Sequence, residues 1–152
     1  MLIRVARVDD IKQIQLVRMA VIENALSDSS KVNVNDYFEF LTTRGRGWAC
    51  EINKEIVGFS IVDFERNSIW ALFVKPEFEQ KGIGRRLHNT MLTWYFAQTQ
   101  ENVWLTTSAN TKAELFYTKS GWAKVGVDIE GEIKFEMTYD SWRRLSNRVG
   151  IL

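Results

Sequence analysis

The sequence holds one cysteine, one proline and one histidine among 152 residues, and each scarcity excludes something. Cys50 on its own forms no internal disulfide, so no covalent staple supports the fold. With His88 as the sole histidine, no Cys, His and carboxylate cluster has metal-ligand spacing, and no metal is expected. No run of about 18 apolar residues is present, so no membrane-spanning helix is expected. The opening M-L-I-R-V-A-R-V-D-D is too short and too charged for a secretory signal, and a single thiol suits the reducing cytoplasm. A formal net charge of +1 gives no field to draw in nucleic acid or an anionic membrane. Repeats, low-complexity tracts and linkers are also missing.

What is present is an ordinary globular composition, 45% hydrophobic and 26% charged. A chain of this length buries roughly 70% of its unfolded surface, so residues 1–152 are expected to form one domain without a metal or disulfide. Six tryptophans and nine phenylalanines predict a heavily aromatic core or a large apolar pocket. Cys50, in the strand-like W-A-C-E-I, is most simply a small core residue.

Residues 2–7 alternate as a strand. Asp9 or Asp10 then caps a helix with Ile11, Ile14, Val17 and Val21 on one face. Residues 24–35 are polar and turn-rich. A short helix over 36–43 points Tyr37, Phe40 and Leu41 inward and is broken by Gly45 and Gly47. Strands follow at 48–52, 55–63 and 68–74. A helix runs from Gly84 to about Gln98, with Ile83, Leu87, Met91 and Trp94 aligned, and leads to a strand at 103–107. Thr111 and Glu114 have the spacing of a capping box. The helix behind them carries Ala113, Phe116 and Tyr117 and stops at Gly121. Residues 122–129 and 132–139 close the chain as a hairpin around Glu130 and Gly131. This order predicts an α/β (α+β) fold, a mixed sheet with helices on both faces.

The stretch V-K-P-E-F-E-Q-K-G-I-G-R-R-L, residues 74–87, carries the chemistry. A strand leads in, Gly82 and Gly84 turn the chain, and a helix leaves at once. Free N–H groups at a helix start, with the helix dipole behind them, favour an anion, and glycines let backbone approach it. Lys75, Lys81, Arg85 and Arg86 face only Glu77 and Glu79 between residues 75 and 86. Arginines in a first helical turn oppose the dipole, and an anionic ligand compensates them; a solvated basic face is the plainer alternative. Two phosphate motifs are excluded. No G-x-x-x-x-G-K-[ST] exists, and the third glycine of a dinucleotide fingerprint is replaced by Leu87.

The element order, with its glycine loop after the fourth strand, resembles the GNAT acetyltransferase superfamily over essentially the whole chain. The likeness is carried by I-R-V-A-R-V-D-D, W-A-L-F-V-K-P, Q-K-G-I-G-R-R-L and A-N-T-K-A-E-L-F-Y-T-K-S-G-W, in that order. It implies a GNAT-like, mostly antiparallel sheet of about seven strands with one parallel, splayed pair. It also implies acetyl-CoA, or another acyl-CoA, as donor. The pyrophosphate would sit on the amides of Gln80, Lys81, Gly82, Ile83, Gly84 and Arg85. The pantetheine arm would pair with Leu72, Phe73 and Val74, where an N–H steadies the thioester oxygen. Asn110 matches a position that often bonds the arm, although asparagine also favours a helix cap. Tyr117 matches the general acid on the departing thiolate; the alternative is an aromatic packed beside Phe116.

Two positions depart from the family pattern. Glu79 stands where Arg or Gln is usual, three residues before the first glycine, and Ser68 leaves no carboxylate at the start of the fourth strand. Glu51, Asp63, Glu65 or a water chain would then take the proton from the amine, although each acid is more simply a surface or strand-edge residue. His88 is read as a surface residue. The acceptor would meet Glu23 and Asp28, and Glu130, Glu132 and Glu136 of the hairpin, or these acids form a solvated face. Trp48, Trp70, Trp104 and Trp122 line an aromatic pocket or pack the core.

The leading reading is an N-acetyltransferase moving acetyl from acetyl-CoA to a primary amine, small-molecule or peptide, by direct attack. The alternative is a non-catalytic acyl-CoA binding or sensing module. A nucleic-acid-binding domain is disfavoured by the charge. Relatives are often dimers, which leaves a homodimer open.

Overall fold

The structure, a computed structural model, describes residues 1–21 and 33–149. The chain divides into two compact units, Met1–Tyr95 and Phe96–Leu152.

The first unit contains β1 (Leu2–Val5), a 3-10 turn (Val8–Asp10), α1 (Ile11–Ala20), α2 (Val34–Thr42), β2 (Gly45–Ile52), β3 (Glu55–Asp63) and β4 (Ser68–Val74). A second 3-10 turn (Pro76–Phe78) and most of α3 (Ile83–Gln98) also belong to it. Neighbouring strands β1, β2, β3 and β4 are antiparallel in sequence order. The pleat of β3 sends alternate residues to opposite faces. Phe59 and Ile61 join Ile14 and Val17 of α1 and Tyr37 and Phe40 of α2 in one core. On the other face Gly58 leaves room for Ile83 and Leu87 of α3, and the Ser60 hydroxyl donates to the Leu87 carbonyl at 3.4 Å.

Three local expectations change. Asp10 stands at the start of α1, yet its carboxylate bonds no helix amide; it accepts the Arg7 N–H at 2.7 Å and the Arg4 guanidinium instead. Helix α2 starts two residues early because Asn33 Oδ1 accepts the Asp36 N–H and Asp36 Oδ2 accepts the Asn33 N–H, both at 3.1 Å. The helix stops at Thr42, ahead of Gly45 as expected, but Gly45 and Gly47 belong to β2, which starts at Gly45 rather than at residue 48. A side chain at Gly45 would collide with the Val62 carbonyl, and one at Gly47 would meet Leu41 of α2 at 2.5 Å.

The second unit contains β5 (Val103–Thr107), α4 (Lys112–Lys119), β6 (Ala123–Val127), β7 (Ile133–Met137) and α5 (Tyr139–Val149). Strand β7 lies between β5 and β6, antiparallel to both. Tyr117, Trp122 and Phe135 are buried together, with ring centroids 5.4 and 5.9 Å from Tyr117. Helix α5 was not anticipated from the sequence. Thr138 Oγ1 accepts the Ser141 N–H at 3.0 Å as its cap, and Trp142 stacks on Phe96 at 6.3 Å. Among the described residues, no helix is long and apolar enough to cross a membrane.

Candidate active site

The residues expected to hold the donor are divided between the two units. The first brings together Leu72, Phe73 and Val74 on β4 and the loop from Gln80 to Arg85 at the head of α3. The Glu79 N–H donates to the Pro76 carbonyl at 3.2 Å, and the Arg86 N–H donates to the Gly82 carbonyl at 3.1 Å. Between these bonds lie Gln80, Lys81, Gly82, Ile83, Gly84 and Arg85. The last three begin α3, where geometry denies the N–H groups an intrahelical acceptor. Gln80 and Gly82 have φ of +61° and +82°, the left-handed conformation that turns successive N–H groups toward one concavity. A Cβ built at Gly82 would meet nothing within 4 Å, so the loop is open there. Lys81, Arg85 and Arg86 are exposed around it. The donor set is therefore one of amides and cations, which fits a pyrophosphate.

Strand β4 pairs with β3 through Ser60 and Leu72, Phe59 and Phe73, and Gly58 and Val74. Phe73 turns toward α1 and packs on Phe59 with centroids 5.7 Å apart. Arg18 of α1 lies on the same side, buried, with its guanidinium 4.9 Å from the Phe73 ring and 5.5 Å from Trp70. It hydrogen-bonds Tyr37, whose hydroxyl is pushed up by burial. This cluster was not anticipated from the sequence. Its signal was spacing: Arg18 follows Ile11 and Ile14 at i+7 and i+4, on the buried face of α1.

In the second unit Thr111, not Asn110, is the N-cap of α4, its Oγ1 accepting the Glu114 N–H at 3.2 Å. Glu114 reaches back one residue further than a capping box requires and accepts the Asn110 N–H at 2.7 Å. Asn110 is exposed with φ +62°, so its side chain is not spent on the cap. Tyr117 sits against Phe116, Trp122 and Phe135, and burial raises its hydroxyl well above the ordinary tyrosine range. It is protonated at every physiological pH.

The candidate bases are engaged. Glu51 pairs with Arg4 at 3.0 Å. Asp63 is buried, pairs with Arg44 at 3.0 Å, and accepts the N–H groups of Glu65 and Arg66. Glu65 is exposed, 3.8 Å from Arg44. Of the hairpin acids, Glu136 accepts from Asn102 at 3.1 Å and Glu130 is exposed; Glu23 and Asp28 lie outside the described residues. His88 is not at the surface. It is 2% exposed, burial pushes its imidazole down to about 4, and Nδ1 lies 2.9 Å from Asn89 Oδ1. Cys50 is buried and its thiol is pushed up by desolvation. Trp48 and Trp122 are buried; Trp70 stacks on Phe40 at 4.1 Å and Trp104 receives Lys134 at 5.2 Å. Among the described residues, no three His, Cys, Asp or Glu side chains gather to hold a metal ion.

Residues 11–122 match the family described as Acetyltransferase (GNAT) family, and the chain belongs to that family. No curated protein sequence matches it significantly. Several solved structures share its fold. One is smu.2055 from Streptococcus mutans UA159, with TM-score 0.76 and 18% identity over 91% of this chain and 99% of that one. Another is the PaiA N-acetyltransferase from Thermoplasma acidophilum in complex with coenzyme A, with TM-score 0.71 and 14% identity over 91% and 100%. A third is the ribosomal-protein-S18-alanine N-acetyltransferase from Escherichia coli, with TM-score 0.73 and 13% identity over 91% and 93%. Among the described residues, the antiparallel order β1-β2-β3-β4 in the first unit, the order β5-β7-β6 in the second, and five α-helices agree with this fold.

Proposed function

We propose that the chain is an N-acetyltransferase that moves acetyl from acetyl-CoA to a primary amine by direct attack. One observation carries the reading: the open, left-handed turn at Gln80 and Gly82 that leads into the first-turn amides of α3, which have no intrahelical acceptor, within a chain of this family. Gln80, Lys81, Gly82, Ile83, Gly84 and Arg85 would hold the pyrophosphate, and Leu72, Phe73, Val74 and Asn110 the pantetheine arm. We treat residues 1–152 as one functional domain because the family match crosses both units.

The donor supplies a thioester carbonyl: the amine nitrogen forms a bond to its carbon, the carbon–sulfur bond breaks, and the proton shed by the nitrogen would pass through a water chain to solvent or to the departing thiolate. A backbone N–H at Phe73 or Val74 would steady the oxygen as charge develops there. Tyr117, kept protonated by burial, would donate a hydrogen bond to the departing sulfur. With a thiol near pKa 8.5, full proton transfer from so weak an acid is uphill, so hydrogen bonding is its main contribution. Direct attack is favoured because the buried, poorly acidic Cys50 is an unsuitable acyl carrier. One neighbour of this fold is named a ribosomal-protein-S18-alanine N-acetyltransferase, and an amine screen that includes peptide amines identifies the acceptor here. Cytoplasmic residence is the setting we infer for a chain with one free thiol.

The competing reading, a non-catalytic acyl-CoA module, draws on one observation: Glu51 and Asp63 are held by arginines. A thermal-unfolding titration with acetyl-CoA, with CoA and ATP as comparators, tests the donor site. Ligand at 100 times its dissociation constant adds about 2.7 kcal/mol. A saturable shift with acetyl-CoA and none with ATP supports the reading; no shift rejects it. Turnover across an amine panel then separates enzyme from sensor.

A further inference from the structure

Glu114 makes a hydrogen bond that the capping of α4 does not call for. Its backbone N–H donates to Thr111 Oγ1 at 3.2 Å, which is the ordinary cap of the helix. A capping-box carboxylate would then return to the N–H of the cap residue, Thr111. Glu114 Oε1 instead accepts the Asn110 N–H at 2.7 Å, one residue before the cap. Its other oxygen, Oε2, accepts from Lys124 Nζ of β6 at 2.7 Å.

Asn110 stands at φ +62°, in the left-handed region that asparagine tolerates better than most residues. A carboxylate on its N–H fixes the peptide plane between residues 109 and 110. It thereby fixes the direction in which the Asn110 side chain leaves the backbone. Thr111 Oγ1 donates to the Ser108 carbonyl at 2.8 Å, so the turn is closed from its other side as well. Hydrogen bonds to an ionised acceptor are the strong ones. The bond from Lys124 holds the Glu114 carboxyl below its ordinary range, so the acceptor is ionised at neutral pH. The Lys124 side chain is 49% exposed, and so open an ion pair contributes little to stability. The arrangement therefore does more for the direction of Asn110 than for the stability of α4. Tyr117 follows Glu114 by three residues, so the Asn110 turn is tied to the helix that also carries the proposed partner of the departing sulfur.

We propose that Glu114 is a positioning residue of the donor site, an inference that rests on the assignment of Asn110 to the pantetheine arm. Through the Asn110 N–H, Glu114 holds the Asn110 side chain in the direction that hydrogen-bonds the arm.

Calorimetric titration of the full chain with two ligands tests this. One is acetyl-CoA; the other is adenosine 3′,5′-bisphosphate, which carries the nucleotide end of the donor and no arm. Glu114→Ala should raise the acetyl-CoA dissociation constant about tenfold and leave that of the bisphosphate within about twofold. The cap uses the backbone N–H of residue 114 and survives the substitution. Glu114→Gln keeps an oxygen for the Asn110 N–H and should recover most of the loss. Asn110→Ala should weaken acetyl-CoA by a similar factor and add little in the Glu114→Ala background, since both act through one contact. An Asn110→Ala variant that binds acetyl-CoA normally would remove Asn110 from the arm, and the role of Glu114 with it. Where Asn110→Ala does weaken acetyl-CoA, three results overturn the positioning role alone: no effect of Glu114→Ala, equal weakening of both ligands by it, or losses that add in the double variant. Should Glu114→Ala not fold, Glu114→Met, of similar length and without an acceptor oxygen, takes its place in the same comparison.

Discussion

Arg4 grips Asp10 with both guanidinium arms, at 2.8 and 2.9 Å, and so fastens β1 to the entry of α1. The same guanidinium reaches Glu51 of β2 at 3.0 Å. The Asp10 side chain is 7% exposed, so removing its charge would leave Arg4 short of a partner in a dry place.

Asp10→Asn should therefore lower stability by about 2 to 3 kcal/mol, read as a shift of the urea midpoint without change of slope. Hydrogen bonding from Arg4 holds the Asp10 carboxyl below its ordinary range. A depressed folded value means the contribution is complete above the unfolded pKa, about 3.9, and is lost as pH falls below it. The wild type should lose stability over that acid range, and Asp10→Asn should lose less.

His88 gives a second, separable pH dependence. Burial lowers its folded value to about 4, so between pH 6.5 and 4 the unfolded chain takes up a proton that the folded chain refuses. Stability is complete above pH 6.5 and falls by up to about 3 kcal/mol toward pH 4. Thermal midpoints of the wild type should decline across that window, and those of His88→Gln should stay flat. A wild type with no decline above pH 4.5 would contradict the burial of His88.

Gly84→Asp should abolish the acetyl-CoA-dependent thermal shift, weakening the donor by roughly tenfold or more through a negative charge beside the phosphates. The unliganded variant should unfold near the wild-type temperature, because an acid in a first helical turn suits the dipole. Equal shifts in variant and wild type would remove the loop from the donor site.

Tyr117→Phe keeps the ring that packs on Trp122 and Phe135 and removes only the hydroxyl. Turnover should fall by about tenfold or more while the donor-induced thermal shift is unchanged. Burial holds the hydroxyl protonated, so the wild type should show no alkaline loss of rate assignable to Tyr117 below about pH 10. Loss of donor binding in the variant would make Tyr117 structural.

Where burial and periodicity agreed, the fold was legible in the sequence. Strands β3 and β4 fall on the expected residues because their apolar runs are set off by polar turns at Asn53 and Lys54 and at Arg66 and Asn67, all but Arg66 at positive φ; β5 also falls on the expected residues. The start of β2 at Gly45 was not legible because glycine reads as the end of a helix, whereas here Gly45 and Gly47 also give room to the Val62 carbonyl and to Leu41 of α2. Helix α5 escaped notice because Trp142 and Leu145 are few apolar anchors in a polar run whose cap, Thr138, reads as strand. At the site, the loop at Gln80 and Gly82 was visible from its glycines and charges. The burial of His88 was not, because it depends on which face of α3 the tertiary fold covers, and the Arg18 cluster showed only in the spacing of Arg18 after Ile11 and Ile14.

Cys50 has no exposed surface and is the chain's one thiol. The chain therefore carries its own opening gauge. A thiol reagent can label it only while β2 is out of the sheet, so the labelling rate, measured against denaturant, reports the free energy of that excursion without any added probe. The same seclusion leaves the outside of the molecule free of native thiols, so a cysteine engineered on an exposed position would be the single fast-reacting handle for a fluorophore or a surface tether.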